Sequence, residues 1–247
     1  MILVNALKKI RRVIIRNFRN IKKVQKLKKD KLYLSFGENC LTDNILSRYN
    51  IKSYSTPYSS ARSNIEYILQ IEKDNFKNFL NPEYMKYDYV RKDKVVRLTV
   101  YNKIENQYHN LHMNGFEFSH HDVLSNEELR DTMNRRCERL LNLKNKKLCI
   151  FYHNRYNENT NEKMLITHLQ ELSKIYSERC SSVTIFMFTQ VIVTNKEERR
   201  VEHTSIDNIN IYKFYTLNVW EGTDNRIFWA KCDDDLISEM IEDAKKI

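Results

Sequence analysis

Three short, nearly unbroken apolar runs set the strongest limit on the fold of this chain: residues 32–36, 147–152 and 183–193. Runs of this length are buried strands rather than helices or membrane spans. Helix-spaced apolar residues fill much of the intervening sequence. Continuous apolar strands alternating with helices predict an α/β fold, with a mostly parallel sheet covered by helices on both faces. The specific expectation is a three-layer, Rossmann-like domain over residues 32–247, preceded by a basic amphipathic helix over residues 1–31.

The pattern assigns strands to residues 32–36, 52–56, 95–101, 115–119, 147–152, 183–193 and 209–214. It assigns helices to 41–49, 63–79, 162–177 and 236–246. A further helix is expected to start after Ser125, which has capping-box spacing with Glu128, and to run to about residue 143. Segment 194–206 is charged and aperiodic and reads as a loop.

Charge is concentrated at one end. Residues 1–31 hold twelve of the 42 Lys and Arg and one acid, Asp30. The rest of the chain is close to neutral, which argues against a general nucleic-acid-binding surface. Within the basic segment Leu3, Leu7, Ile10, Ile14, Phe18, Ile21 and Val24 recur at helical spacing. Such a helix can lie on an anionic membrane surface, dock on a partner, pack on the body of the protein, or bind nucleic acid through phosphates, a reading that the missing aromatic stacking residues count against. No run of 18 apolar residues is present, so no membrane span is expected. No signal peptide is expected either. The five cysteines, at 40, 137, 149, 180 and 232, are odd in number and widely spaced. That suits a reducing, cytoplasmic compartment and argues against a cysteine zinc site. No GxGxxG or Walker-type glycine pattern occurs, which disfavours a nucleotide-sugar binder, and no metal or cofactor is expected.

The chemistry-bearing element is Lys-Leu-Tyr-Leu-Ser-Phe-Gly-Glu-Asn-Cys, residues 31–40. Gly37, one of three glycines, breaks the first strand just before Cys40. A cysteine between a strand end and a helix start meets backbone N–H groups and the positive end of the helix dipole. Such surroundings favour a thiolate. A cysteine nucleophile also needs a base and an oxyanion hole. His120, His121 and Asp122 follow another expected strand end, on the same sheet edge if the strands are parallel. His153 follows a third strand and competes as the base. Backbone N–H groups around Asn39 and Cys40, or the Asn39 amide, are the oxyanion candidates.

Four segments together resemble the family of putative papain-like cysteine peptidases, DUF1796. They are SFGENCLTDNIL, KSYSTPYSSARSNIEYI, FEFSHHD and RDTMNRRCERLLNLKNKKLCIFY, spread over residues 32–155. The resemblance carries a Ser-x-Gly-x-x-Cys element (Ser35, Gly37, Cys40), a His often followed by Asp, and an Arg-rich helix (Arg135, Arg136, Arg139) leading into an apolar strand. The chain departs from the family's Tyr-Pro-Phe-Asp-Trp-like element, where Ser59 and Ser60 replace the Asp and Trp. Arg62 and Asn64 are candidates for polar contacts there. Polysaccharide-biosynthesis-cluster proteins with a Gly-Asn-Cys element, which are acyltransferase-like, are a similar arrangement.

The resulting expectation is a cysteine-dependent acyl hydrolase or acyltransferase. Cys40 attacks a carbonyl, His121 or else His120 moves the proton, Asp122 orients the imidazole, and Asn39 with the Gly37 backbone holds the oxyanion. The substrate is a small molecule, glycan or acyl donor, and the basic segment brings the enzyme to the inner membrane face. The competing expectation is a non-catalytic glycan-pathway or interaction module on the same fold.

Overall fold

The apolar runs form the strands they predict. The computed structural model describes residues 30–155 and 159–247. The expected basic helix over residues 1–31 lies outside them, apart from Asp30 and Lys31. In chain order the elements are β1 (Lys31–Gly37), α1 (Leu41–Arg48), α2 (Ile65–Lys73), β2 (Met85–Val90), β3 (Asp93–Leu98), β4 (Glu117–Phe118) and α3 (Glu127–Leu141). They continue with β5 (Lys147–His153), α4 (Glu162–Ser177), β6 (Ser182–Ile192), β7 (Arg200–Ile206), β8 (Ile209–Thr216) and α5 (Asp234–Lys246).

The main sheet has the order β1-β5-β6-β8-β7. β1, β5, β6 and β8 are parallel neighbours, and β7 runs antiparallel to β8 at the edge. The architecture is therefore mixed α/β with a mostly parallel central sheet. The parallel strands follow one another in chain order. The strand order thus lacks the reversal that creates a ligand crevice in doubly wound sheets.

Alternate residues on each strand enter two separate cores. On β5, Leu148, Ile150 and Tyr152 join one cluster with α2, α3 and α4. Cys149 and Phe151 join the other, with Leu41 and Ile45 of α1 and Ile237, Met240 and Ile241 of α5. Burial on both faces is why these strands read as continuous apolar runs. Each fully buried Leu or Ile contributes roughly 1.5–3 kcal/mol. Among the described residues, no helix is long and apolar enough to cross a membrane.

A second, smaller sheet has the order β2-β3-β4 and is antiparallel. This corrects the expected placement of His120 and His121. β4 belongs to the small sheet, so these histidines do not share a strand edge with Cys40. The imidazole on that edge is His153, because Gly37 and His153 are register partners.

Other elements also differ. Residues 52–56 form no strand; the segment runs beside β1, giving Ser53 N–H to Tyr33 O at 3.0 Å and the Thr56 hydroxyl to Ser35 O at 2.8 Å. Segment 194–206 is not all loop, since it contains β7. The cap of α3 is Asn126, whose side chain accepts from Leu129 N–H, rather than Ser125. The helix expected over 63–79 is shorter, closing at Lys73.

Candidate active site

β1 delivers the chain to the site through Gly37, whose φ of +126° is left-handed. A side chain is excluded there twice over. The backbone conformation is strained for L-residues, and a Cβ would lie 2.8 Å from the His153 backbone nitrogen. After the turn, Asn39 Oδ1 accepts from Leu41 N–H at 3.0 Å and fixes the entry to α1. That bond uses the amide oxygen and leaves the Nδ2 donors uncommitted by it. Cys40 is the N-cap of α1 and makes no side-chain capping bond.

The electrostatics of Cys40 oppose the expected thiolate. Its thiol is pushed up to about 11, first by burial and then by the Asp43 carboxylate, with Arg62 opposing. Burial outweighs the end of a helix only eight residues long. Asp43 is held by the Ser35 hydroxyl at 2.8 Å and Lys52 Nζ at 2.6 Å.

Ser59 and Ser60 connect this element to the histidines. The Ser35 and Ser59 hydroxyls meet at 2.7 Å, and Ser59 Oγ also accepts from Thr56 N–H at 2.9 Å. The next residue, Ser60, places its Oγ 3.5 Å from His121 Nδ1. His121 is half-buried, and burial, then the charges of Arg136 and His120, lower its imidazole to about 4. It is therefore neutral at ordinary pH. His120 beside it is partly exposed. The Arg-rich helix braces the same loop: Arg136 and Arg139 donate to the carbonyls of Thr56 and Ser55 at 3.5 and 3.3 Å.

Two expected site residues have other work. Asp122 accepts from Ser125 N–H and Oγ at 3.1 and 2.7 Å and from Tyr87 Oη at 3.2 Å, and no imidazole bonds to it. It caps a turn rather than orienting His121. Asn64 is fully buried, accepts from Tyr67 N–H at 2.9 Å and donates to His112 O at 2.9 Å. Its amide caps α2 and is spent. Arg62 pairs with buried Glu117 at 2.7 Å, and Glu117 in turn holds Arg97 at 2.8 Å.

Two buried polar groups, Glu38 and His112, carry no site signal in the sequence, and a third, His153, is the competing base. Glu38 is buried, accepts from Arg155 N–H at 2.9 Å and Tyr152 Oη at 3.4 Å, and is raised by burial to about 8. His153 is buried against Phe188, with ring centroids 5.0 Å apart, and burial lowers its imidazole to about 3. His112 is buried with neither ring nitrogen partnered. For His153 the signal was its place at a strand end. For Glu38 and His112, each inside a polar stretch, no sequence pattern marks burial. Among the described residues no cluster of three or more His, Cys, Asp or Glu is placed to hold a metal ion.

No curated protein and no solved structure matches the chain. A family model does match, over residues 31–198, which include Cys40, the Ser59–Ser60 loop, His121 and the bracing arginines of α3. The chain belongs to the family described as putative papain-like cysteine peptidase (DUF1796).

Proposed function

We propose that this protein is a cysteine-dependent acyl-transfer enzyme, a hydrolase or an acyltransferase, with Cys40 as nucleophile and His121 as proton carrier. The observation that carries the reading is the chain of contacts from Asp43 through Ser35 to Ser59, with the adjoining Ser60 reaching His121. It ties the Cys40 element to a neutral imidazole across two otherwise separate parts of the fold. Helices packed on both faces of the central sheet support a three-layer description in which the nucleophile follows a strand.

At rest both partners are neutral, since the thiol is pushed up and the imidazole down. Cys40 then loses its proton to His121 as its sulfur bonds to the carbonyl carbon of an ester, thioester or amide. Backbone N–H groups at the start of α1 and the Asn39 amide are the donors available to the oxyanion. The tetrahedral adduct collapses, His121 protonates the leaving group, and the acyl group stays on sulfur. Water or a sugar hydroxyl then gives its proton to His121 and takes the acyl group, restoring the thiol. The basic residues of segment 1–31 would bring such an enzyme to an anionic membrane face, where glycan acceptors are assembled.

A specific observation favours a second reading, a non-catalytic module: among the described residues no imidazole hydrogen-bonds the Cys40 thiol, which burial holds protonated. Intact-mass spectrometry after incubation with p-nitrophenyl acetate and acetyl thioesters separates the two. The enzyme reading expects one acetyl group on Cys40, absent in Cys40→Ser and formed at least tenfold more slowly in His121→Gln, a typical loss for a proton carrier. Acetylation of Cys40 no faster than that of exposed Cys232, in the wild-type chain, rejects it in favour of the module.

A further inference from the structure

We infer that an anion-binding subsite lies beside Cys40, formed by Arg62 and Arg155 with His112, and that it receives a carboxylate or phosphate group of the substrate. The inference rests on Cys40 as the reacting residue.

Three chain segments converge on this place. Arg62 is fixed by a backbone bridge to Glu117, with N–H to O distances of 3.0 and 2.9 Å in the two directions. Arg155 lies two residues past the end of β5, and its N–H binds Glu38, two residues before Cys40. His112 sits in a single helical turn, Asn110–His112, tied to Asn64 through its carbonyl. The three are within electrostatic reach of one another: the charges of Arg155 and Arg62 both act on the His112 ring, and Arg62 acts on Arg155 and on Cys40.

The local charge balance is positive. Glu117 is shared between Arg62 and Arg97, and Arg97 also pairs with Asp88 at 2.8 Å, so these two guanidinium groups are balanced and the excess positive charge lies with Arg155. Glu38 is held in its neutral form by burial up to about pH 8 and does not offset Arg155 below that. The positive charge of Arg91 and the carboxylate of Glu221 also act on Arg155, in opposite senses. The first turn of α1 adds backbone N–H groups and the positive end of a helix.

Independent of charge, the site holds buried polar groups that no described residue satisfies. His112 is 1% exposed, yet both ring nitrogens lack a hydrogen-bond partner. His153 Nδ1 and the Thr42 hydroxyl, in the first turn of α1, are also buried and unpartnered. Buried polar groups without partners are exceptions in native proteins. Of these, the His112 and His153 rings both lie within electrostatic reach of Arg155. An oxyanion can accept from guanidinium, imidazole N–H and hydroxyl donors together.

The test uses the full chain and reads Cys40 by peptide mass spectrometry, with exposed Cys232 as the internal reference. Alkylation by anionic iodoacetate is compared with neutral iodoacetamide at constant ionic strength. The subsite predicts an iodoacetate-to-iodoacetamide rate ratio at Cys40 about fivefold or more above that at Cys232, as local steering gives. The ratio should fall to the Cys232 level in Arg155→Gln. Because Arg62→Gln could unfold by freeing Glu117, Arg62→Lys is the second variant. Sodium phosphate and sodium acetate then serve as saturating protectants; protection by one alone identifies phosphate or carboxylate as the group taken. Equal ratios at the two cysteines, with protection by neither salt, overturn the subsite. Acetylation of Cys40 by neutral esters without anion preference removes the subsite and leaves the acyl-transfer reading standing. Protection of Cys40 without acetylation does the reverse.

Discussion

A Cβ added at Gly37 would lie 2.8 Å from the backbone nitrogen of His153 and 3.1 Å from its carbonyl oxygen. The atoms met are backbone, so they cannot swing aside. The φ of +126° adds strain for any L side chain. Gly37→Ala should therefore destabilise the fold by about 1–3 kcal/mol, the range for local backbone strain. Urea unfolding should show a lower midpoint at unchanged m-value. A midpoint equal to wild type would mean that β1 and β5 part easily at this end, and that the turn does not fix Cys40.

Glu38 makes stability depend on pH in a set direction. Its carboxyl is raised from 4.5 to about 8 in the folded protein. Below about pH 4.5 both states hold the proton and the group costs nothing. Between about 4.5 and 8 the unfolded chain is ionised while the folded one keeps its proton, so stability falls as pH rises, and above 8 it levels off. Glu38→Gln should remove that decline, on the order of a few kcal/mol across the window. Glu72, raised to about 7 by the same burial, has the same sign and remains in the variant. His153 and His121 have the opposite sign and act mainly below about pH 6.5, where stability rises with pH. Urea titrations of both proteins at pH 5 and pH 8.5 measure the difference; parallel behaviour would show that Glu38 ionises freely.

Strands buried on both faces were legible because their sequence is apolar throughout. β1, β5 and β6 are of this kind. β7 was not, because it is an edge strand whose residues Arg200, Glu202, His203, Thr204 and Ser205 are exposed. Only its pairing with β8 makes it a strand. β2 was missed for the same reason, with Lys86, Tyr87 and Tyr89 exposed. Residues 52–56 have strand-like composition, yet the Tyr33 N–H that a paired strand would satisfy binds the Ser53 hydroxyl at 2.9 Å. In the site, the Gly37 turn and the place of Cys40 at the start of a helix followed from local chemistry. The state of the thiol did not, since burial and the nearby Asp43 charge are set by tertiary packing. Asp122 and Asn64 illustrate the same limit. Both are polar residues beside a motif, and both are consumed by capping, which sequence cannot separate from ligand binding.

Glu117 is fully buried between Arg62 and Arg97, and Ser119 Oγ donates to it at 2.8 Å. Removing Glu117 leaves Arg62 without its carboxylate and Arg97 with Asp88 alone. Glu117→Ala should cost about 3–5 kcal/mol. Glu117→Gln should cost less, because the amide oxygen can still accept one bond. Thermal unfolding of the pair checks this. An alanine variant no less stable than the glutamine variant would show that the arginines find solvent instead.

The pH dependence of Cys40 alkylation tests the electrostatics of the site directly. With the thiol raised to about 11, the iodoacetamide rate should climb about tenfold per pH unit from neutrality to pH 10, without a plateau. A preformed thiolate–imidazolium pair would instead give a flat rate above about pH 5. Asp43→Asn removes a negative charge that raises the thiol. The variant should alkylate several-fold faster at neutral pH, and its whole profile should shift to lower pH. Asp43→Glu, which keeps the charge, should leave the profile near that of wild type. A plateau below pH 8 in the wild-type chain would show that a cation or imidazole holds the thiolate. Burial would then have lost to pairing, and the resting state of the proposed enzyme would be an ion pair rather than two neutral groups.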